Sequence, residues 1–162
     1  MKILIIGANG QLGRELQRTV PSEWGVTAIG TADCDITDSV AVATLIEGLR
    51  PDVVVNCAAY TAVDQAETER EKADAVNWHA VENLARVAAS VDAVLVHIST
   101  DYVFDGESSV PYRESDPTAP INHYGAGKLR GEQAIAESGC RGITIRTQWL
   151  YSPYGKNFVK TM

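Results

Sequence analysis

The chain has little of what would place it in a membrane, in a secreted disulfide scaffold or on nucleic acid. Its opening apolar run, Ile3 to Ile6, stops at Gly7, too short for a signal peptide or a bilayer span. Cys34, Cys57 and Cys140 are scattered and form no CxxC pair. That argues against a disulfide framework or a cysteine zinc site, and reduced thiols in a cytoplasmic protein are the simplest reading. His79, His97 and His123 lack metal-ligand spacing and read as structural, so no metal is assigned. Basic residues are also short: 14 Lys and Arg stand against 21 Asp and Glu, a net charge of −7. Such a balance does not suit nucleic acid or an anionic membrane. It leaves room for an anionic small ligand, because backbone N–H groups at a helix start hold phosphate whatever the net charge.

What is present is ordinary soluble-domain material. The 162 residues are 45% apolar and 22% charged, enough for one domain with a sizeable core. Strands are expected at Lys2–Ile6, Val26–Ile29, Asp52–Asn56, Ala93–Ser99 and Gly142–Arg146. Unbroken β-branched runs such as Val53-Val54-Val55 suit a parallel sheet covered on both faces. Between them, helical spacing predicts helices over Gln11–Val20, Ser39–Leu49, Glu69–Ser90 and His123–Glu137, with another beginning at Tyr154. Asp105–Asn122, with Pro111, Pro117 and Pro120, reads as a long loop. Alternating strands and helices imply right-handed crossovers and a doubly wound, Rossmann-like parallel α/β sheet over residues 1–162. The chain stops at Met162 inside an expected helix, which suggests a truncated domain.

The first strand runs into Gly7-Ala8-Asn9-Gly10-Gln11-Leu12-Gly13 and then a helix. Gly7 can make the tight turn, Gly10 can let the backbone approach a pyrophosphate, and Gly13 can let helix and strand pack closely. A tight turn without a ligand is the plainer alternative, but the loop opens the first βαβ unit, where a dinucleotide site requires it. Cofactor choice stays open. The second strand ends at Ile29-Gly30, with no acidic residue for a ribose and no basic cluster after it. Asp35 reads either as an adenine neighbour or as the cap of the next helix.

Tyr124 and Lys128, four residues apart on an expected helix, share a face. An ammonium near a phenol favours phenolate and lowers its pKa, and the tyrosine can then exchange a proton with a carbonyl oxygen. The fourth strand ends in Ser99-Thr100-Asp101, and ligands in open α/β sheets sit beyond strand C-termini. Ser99 and Thr100 hydroxyls are therefore expected to meet a substrate, with strand-end capping as the other reading for Thr100.

The G-x-x-G-x-x-G spacing resembles the extended short-chain dehydrogenase/reductases. Ser99-Thr100-Asp101-Tyr102-Val103-Phe104-Asp105-Gly106, Asn56-Cys57-Ala58-Ala59-Tyr60-Thr61-Ala62-Val63-Asp64, Tyr124-Gly125 with Lys128-Leu129, and Arg146-Thr147 with Trp149 narrow this. Together they resemble the dTDP-4-dehydrorhamnose reductase family. The resemblance implies hydride transfer from NADPH or NADH to C4 of a dTDP-4-dehydro sugar. It assigns Thr100, Tyr124 and Lys128 to catalysis. Gly10, Gln11 and Leu12 would contact the pyrophosphate, Asp35 and Ile36 would flank the adenine, and Ala58, Ala59 and Tyr60 would line the groove. Thr100, Asp101 and Trp149 would touch the sugar, core packing being the other reading for Trp149. The family's C-terminal substrate domain is missing here, and a homodimer or metal link would depend on that region. Two other readings are an epimerase or dehydratase of the same superfamily, and a non-catalytic subunit like the regulatory subunit of methionine adenosyltransferase.

Overall fold

Short β-branched runs punctuated by glycine and proline give five strands, and all five pair in parallel. In the computed structural model, which describes residues 1–162, β1 is Lys2–Ile6, β2 Gly25–Ile29, β3 Val53–Asn56, β4 Val94–Thr100 and β5 Arg141–Thr147. Their order is β2-β1-β3-β4-β5. The helices are α1 (Gln11–Thr19), α2 (Ser39–Leu49), α3 (Val63–Ala66), α4 (Arg70–Asp74), α5 (Ala80–Ser90), α6 (His123–Glu137) and α7 (Phe158–Thr161). The strand order reverses between β1 and β3, so the chain winds both ways from there and a crevice opens beyond those two strand ends. The expected doubly wound Rossmann-like sheet is what the chain forms.

Right-handed crossovers place α1 on one face and α2, α5 and α6 on the other. The main core lies on the second of these. Val42 and Ile46 of α2, Val81, Leu84, Ala85 and Ala88 of α5, and Ile135 of α6 pack against Leu4, Ile6, Val54 and Leu95 of the sheet. Leu4, Val54 and Leu95 stand in one register row across three strands and are fully buried. Side chains alternate across a strand, so Ile5, Val55, Val96 and Ile143 form a row on the opposite face.

Several boundaries differ from the sequence reading. The long helix over Glu69–Ser90 is broken by a π-helical turn at Ala75–His79, which joins α4 to α5. A single wide turn of this kind leaves no clear mark in apolar periodicity. The short α3 was not anticipated, and the strands differ from expectation by one residue at most ends. The helix expected from Tyr154 shrinks to α7, because Asn157 caps it by accepting the Lys160 N–H. Asp35 does not cap α2. Asp38 does, accepting the N–H groups of Val40 and Ala41 at 3.0 Å, while Asp35 bonds Thr37.

Candidate active site

The glycine loop leaves β1 at the switch point. Gly7 has φ +82°, a left-handed conformation that side chains resist, and a Cβ there would lie 2.7 Å from the Ala58 nitrogen. At Gly13 a Cβ would lie 2.3 Å from the Gly7 carbonyl oxygen, so only glycine lets α1 sit this close to the loop. Both roles are those read from the sequence. The first helical bond of α1 runs from the Arg14 N–H to the Gly10 carbonyl. The N–H groups of Gln11, Leu12 and Gly13 are therefore outside the helical ladder. Gly10 caps with no side chain, whereas Asp38 and Asn122 cap α2 and α6. A bare N-terminus with a positive partial charge is a seat for an anion.

Two cavities meet at this loop. One, of about 400 Å³, is lined by Gly7, Gly30, Asp35, Ile36, Ala58, Ala59 and Tyr60, with no lysine or arginine in its wall. The other, of about 550 Å³, is lined by Gln11, Leu12, Thr100, Asp101, Tyr124, Lys128 and Trp149. Asn9, Gly10, Cys57 and Ala59 belong to both. The cofactor-groove and site residues expected from the sequence are thus brought together, apart from Gly13, which is buried in the loop packing. The Gln11 side chain points elsewhere than expected: its Oε1 accepts from Asn157 at 2.9 Å and from Ser152 at 3.2 Å. Tyr60 is clamped by the buried Asn77 of the π-helical turn, which accepts the Tyr60 N–H and donates to its carbonyl, both at 3.0 Å.

At the β4 end the side chains divide their work. Thr100 Oγ1 accepts the Tyr102 N–H at 3.2 Å and donates to Asp101 Oδ1 at 3.1 Å, so it caps the short 3-10 turn and still lines the cavity. Ser99 departs from expectation. Its hydroxyl donates to Glu132, which also holds Arg146 at 2.6 Å, and this network ties β4, α6 and β5 together. Trp149 is not a core residue: it is 69% exposed, with φ +51°, and meets Phe158 edge-on at 5.0 Å.

The Tyr124–Lys128 pair also needs correction. Lys128 is 1% exposed, and its Nζ donates to the Ile98 carbonyl at 2.7 Å and lies 3.0 Å from His97 Nε2. Burial brings its pKa down to about 8, with Glu132 opposing. The pKa of Tyr124 is raised, not lowered. Burial is the main cause, Asp101 and Tyr102 add to it, and the Thr100 hydroxyl works the other way. Tyr124 is a neutral phenol at neutral pH, a state suited to giving a proton. His97, read from the sequence as structural, and Asn56 are both fully buried behind Lys128 and line neither cavity, and the sequence reading did not connect them to it. The available signal was a polar residue at an inward position of each apolar strand.

A parallel doubly wound sheet, a glycine loop at its switch point, and tyrosine and lysine one helical turn apart define a Rossmann-like fold of the short-chain dehydrogenase/reductase type. The chain belongs to the family described as the RmlD substrate binding domain, whose model matches residues 1–162. It is 49% identical over 162 residues to a dTDP-4-dehydrorhamnose reductase of Burkholderia thailandensis, covering all of this chain and 54% of that protein. With the reductase of Escherichia coli the identity is 44% over 166 residues, covering 56% of that protein. A crystal structure of such a reductase from Bacillus anthracis, in complex with NADP, superposes with a TM-score of 0.96 at 44% identity, covering 99% of this chain and 57% of that one. A UDP-glucose 4-epimerase from Brucella ovis, at 19% identity and a TM-score of 0.81, shares the fold. The chain spans about half the length of the curated relatives it matches.

Proposed function

We propose that these residues form the NAD(P)-binding domain of an enzyme that reduces the C4 keto group of dTDP-4-dehydro-L-rhamnose to dTDP-L-rhamnose. The observation that carries the reading is a pair of adjoining cavities that share Asn9, Gly10, Cys57 and Ala59, one beside Asp35 and Ile36 and the other at the bare N-terminus of α1 and the Thr100–Tyr124 cluster. Two lobes that meet at the glycine loop suit an extended dinucleotide with the pyrophosphate at Gly10, Gln11 and Leu12. The Asp35–Ile36 lobe would take the adenosine, beside Ala58, Ala59 and Tyr60.

Bound NADPH or NADH supplies a hydride to the carbonyl carbon. Tyr124 gives its phenolic proton to the oxygen that receives the carbonyl electron pair, and later recovers a proton from solvent. Thr100 orients that oxygen, and Lys128 borders the nicotinamide ribose. Asp101 and Trp149 meet the sugar. A neighbouring cavity of about 540 Å³, which shares Asp101 and Tyr102 and adds Arg113 and Arg146, offers room for more of a bulky substrate. The same reading places the enzyme in the cytoplasm, with the substrate nucleotide and a homodimer contact supplied by residues outside 1–162.

The test has two parts. Calorimetric titration of the chain with NADPH and with NADH should show binding and rank the two; binding of neither would overturn the groove assignment. In the complete protein, Tyr124→Phe should bind the dinucleotide normally while turnover of the dTDP ketosugar falls by about 10²–10⁴-fold, the usual worth of a positioned acid. Unchanged turnover would remove Tyr124 from the reaction.

A further inference from the structure

Behind Lys128 lies a chain of buried hydrogen bonds whose direction can be worked out. It starts at the Ala58 backbone, where the N–H reaches Asn56 Oδ1 at 3.1 Å. A backbone N–H only donates, so the amide oxygen of Asn56 must face it and the amide nitrogen must face the other way. That nitrogen lies 3.2 Å from His97 Nδ1. An amide nitrogen also only donates, so Nδ1 is the acceptor. A neutral imidazole then carries its proton on Nε2. His97 is neutral, because burial pushes its pKa well below the usual value. Nε2 points at Lys128 Nζ, 3.0 Å away. An ammonium there would set N–H against N–H. A neutral amine would accept the Nε2 proton and still donate to the Ile98 carbonyl at 2.7 Å.

We propose that Asn56 and His97 are positioning residues that favour the neutral amine form of Lys128 and tie its protonation to the tautomer of His97. If Lys128 takes a proton, Nε2 must become an acceptor and the imidazole proton must move to Nδ1. Asn56 can then turn its oxygen to His97 or keep it on Ala58, but it cannot serve both. One donor loses its partner in either case, the half-buried Ala58 N–H or the buried His97 Nδ1–H, and this opposes protonation of Lys128. Ala58 lines the adenosine-side cavity and Lys128 the Tyr124-side cavity, so the chain joins the two lobes of the groove. Other ionisable groups near Lys128 are Tyr124 and Glu132 on its own helix, Asp101 and Tyr102 beyond β4, and Cys57 and Lys156 across the cavity. Glu132 is held by Arg146 and Ser99, which leaves His97 as the ionisable side chain hydrogen-bonded to Nζ. The bearing of this on catalysis rests on the reductase reading; the hydrogen-bond direction does not.

The test needs no substrate. In the isotope-labelled chain, long-range proton–nitrogen NMR reads the His97 tautomer, and the Lys128 side-chain resonances follow its titration. Lys128 should titrate at least one pH unit below an ordinary lysine. His97 should be the Nε2–H tautomer above that midpoint and Nδ1–H below it, with both changes sharing one midpoint. Asn56→Asp offers two acceptor oxygens, so it should lock His97 as Nδ1–H at every pH and raise the Lys128 midpoint by at least one unit. A His97 tautomer that ignores the Lys128 titration, or an ordinary lysine midpoint, would overturn the proposal. The wild-type titration decides this even if Asn56→Asp does not fold, and it does so independently of whether any ketosugar is reduced.

Discussion

The two faces of the sheet are built from similar residues and end up in different surroundings. On the face covered by α2, α5 and α6, the row Leu4, Val54 and Leu95 is sealed from solvent across three strands. One residue further along each strand, the opposite row begins with Ile5 at 1% exposure, passes through half-buried Val55 and Val96, and ends at Ile143 at 52%. The gradient follows helix coverage. A single crossover helix, α1, serves that face, and it packs at the β2 side. Within residues 1–162, burial along this face follows the helices that cover it and not the hydrophobicity of the strand.

Substitutions that differ only in face sharpen this contrast. The largest effect is expected at Leu95→Ala, which removes a fully buried side chain from the closed core and should cost about 2–5 kcal/mol in urea unfolding. Val96→Ala, on the neighbouring residue, should cost roughly 1 kcal/mol. Equal losses at the two would mean that the open face is covered in solution.

The closed face also carries the polar stack of Asn56, His97 and Lys128, and pH separates it from its apolar neighbours. The Lys128 pKa falls from its ordinary 10.5 to about 8 on folding. Between those values the unfolded chain binds the extra proton, so stability rises with pH across that window. Comparing wild type with Lys128→Met at pH 8 and pH 10 should show the wild type gaining about 2 kcal/mol relative to the variant. A constant difference would mean that the folded-state lysine titrates normally. The smallest effect belongs to the far end of the open row, where Ile143→Thr should stay within about 0.5 kcal/mol. A loss several times larger would place Ile143 inside an interface.

Much of the architecture could be read from the chain. α2 and α6 run as expected from apolar spacing, β1 and β2 end at Gly7 and Gly30, and β4 ends at Thr100, which caps the 3-10 turn. The glycine loop was legible because its geometry is local: the turn at Gly7 and the contact of Gly13 with Gly7 involve neighbours in sequence. Tyr124 and Lys128 were legible as a pair for the same reason. What Lys128 touches was not. Its partner His97 is 31 residues away, and Asn56, the next link, is 41 residues from His97. The direction of the Tyr124 pKa was misjudged because spacing shows proximity along a helix but not burial, and burial is the leading influence here. Ser99 was misplaced for a similar reason, since its position at a strand end said nothing of Glu132 on the helix behind it.

Periodicity, turn residues and helix spacing act over a few residues, and from them the sequence by itself determined the strands, most helices, the phosphate-type loop and the tyrosine–lysine face. Tertiary structure alone decided which polar groups lost their water and which donors met which acceptors. Those are properties of strands brought together in register. They raise the Tyr124 pKa, turn Lys128 toward His97, and set which strand positions the helices of residues 1–162 cover.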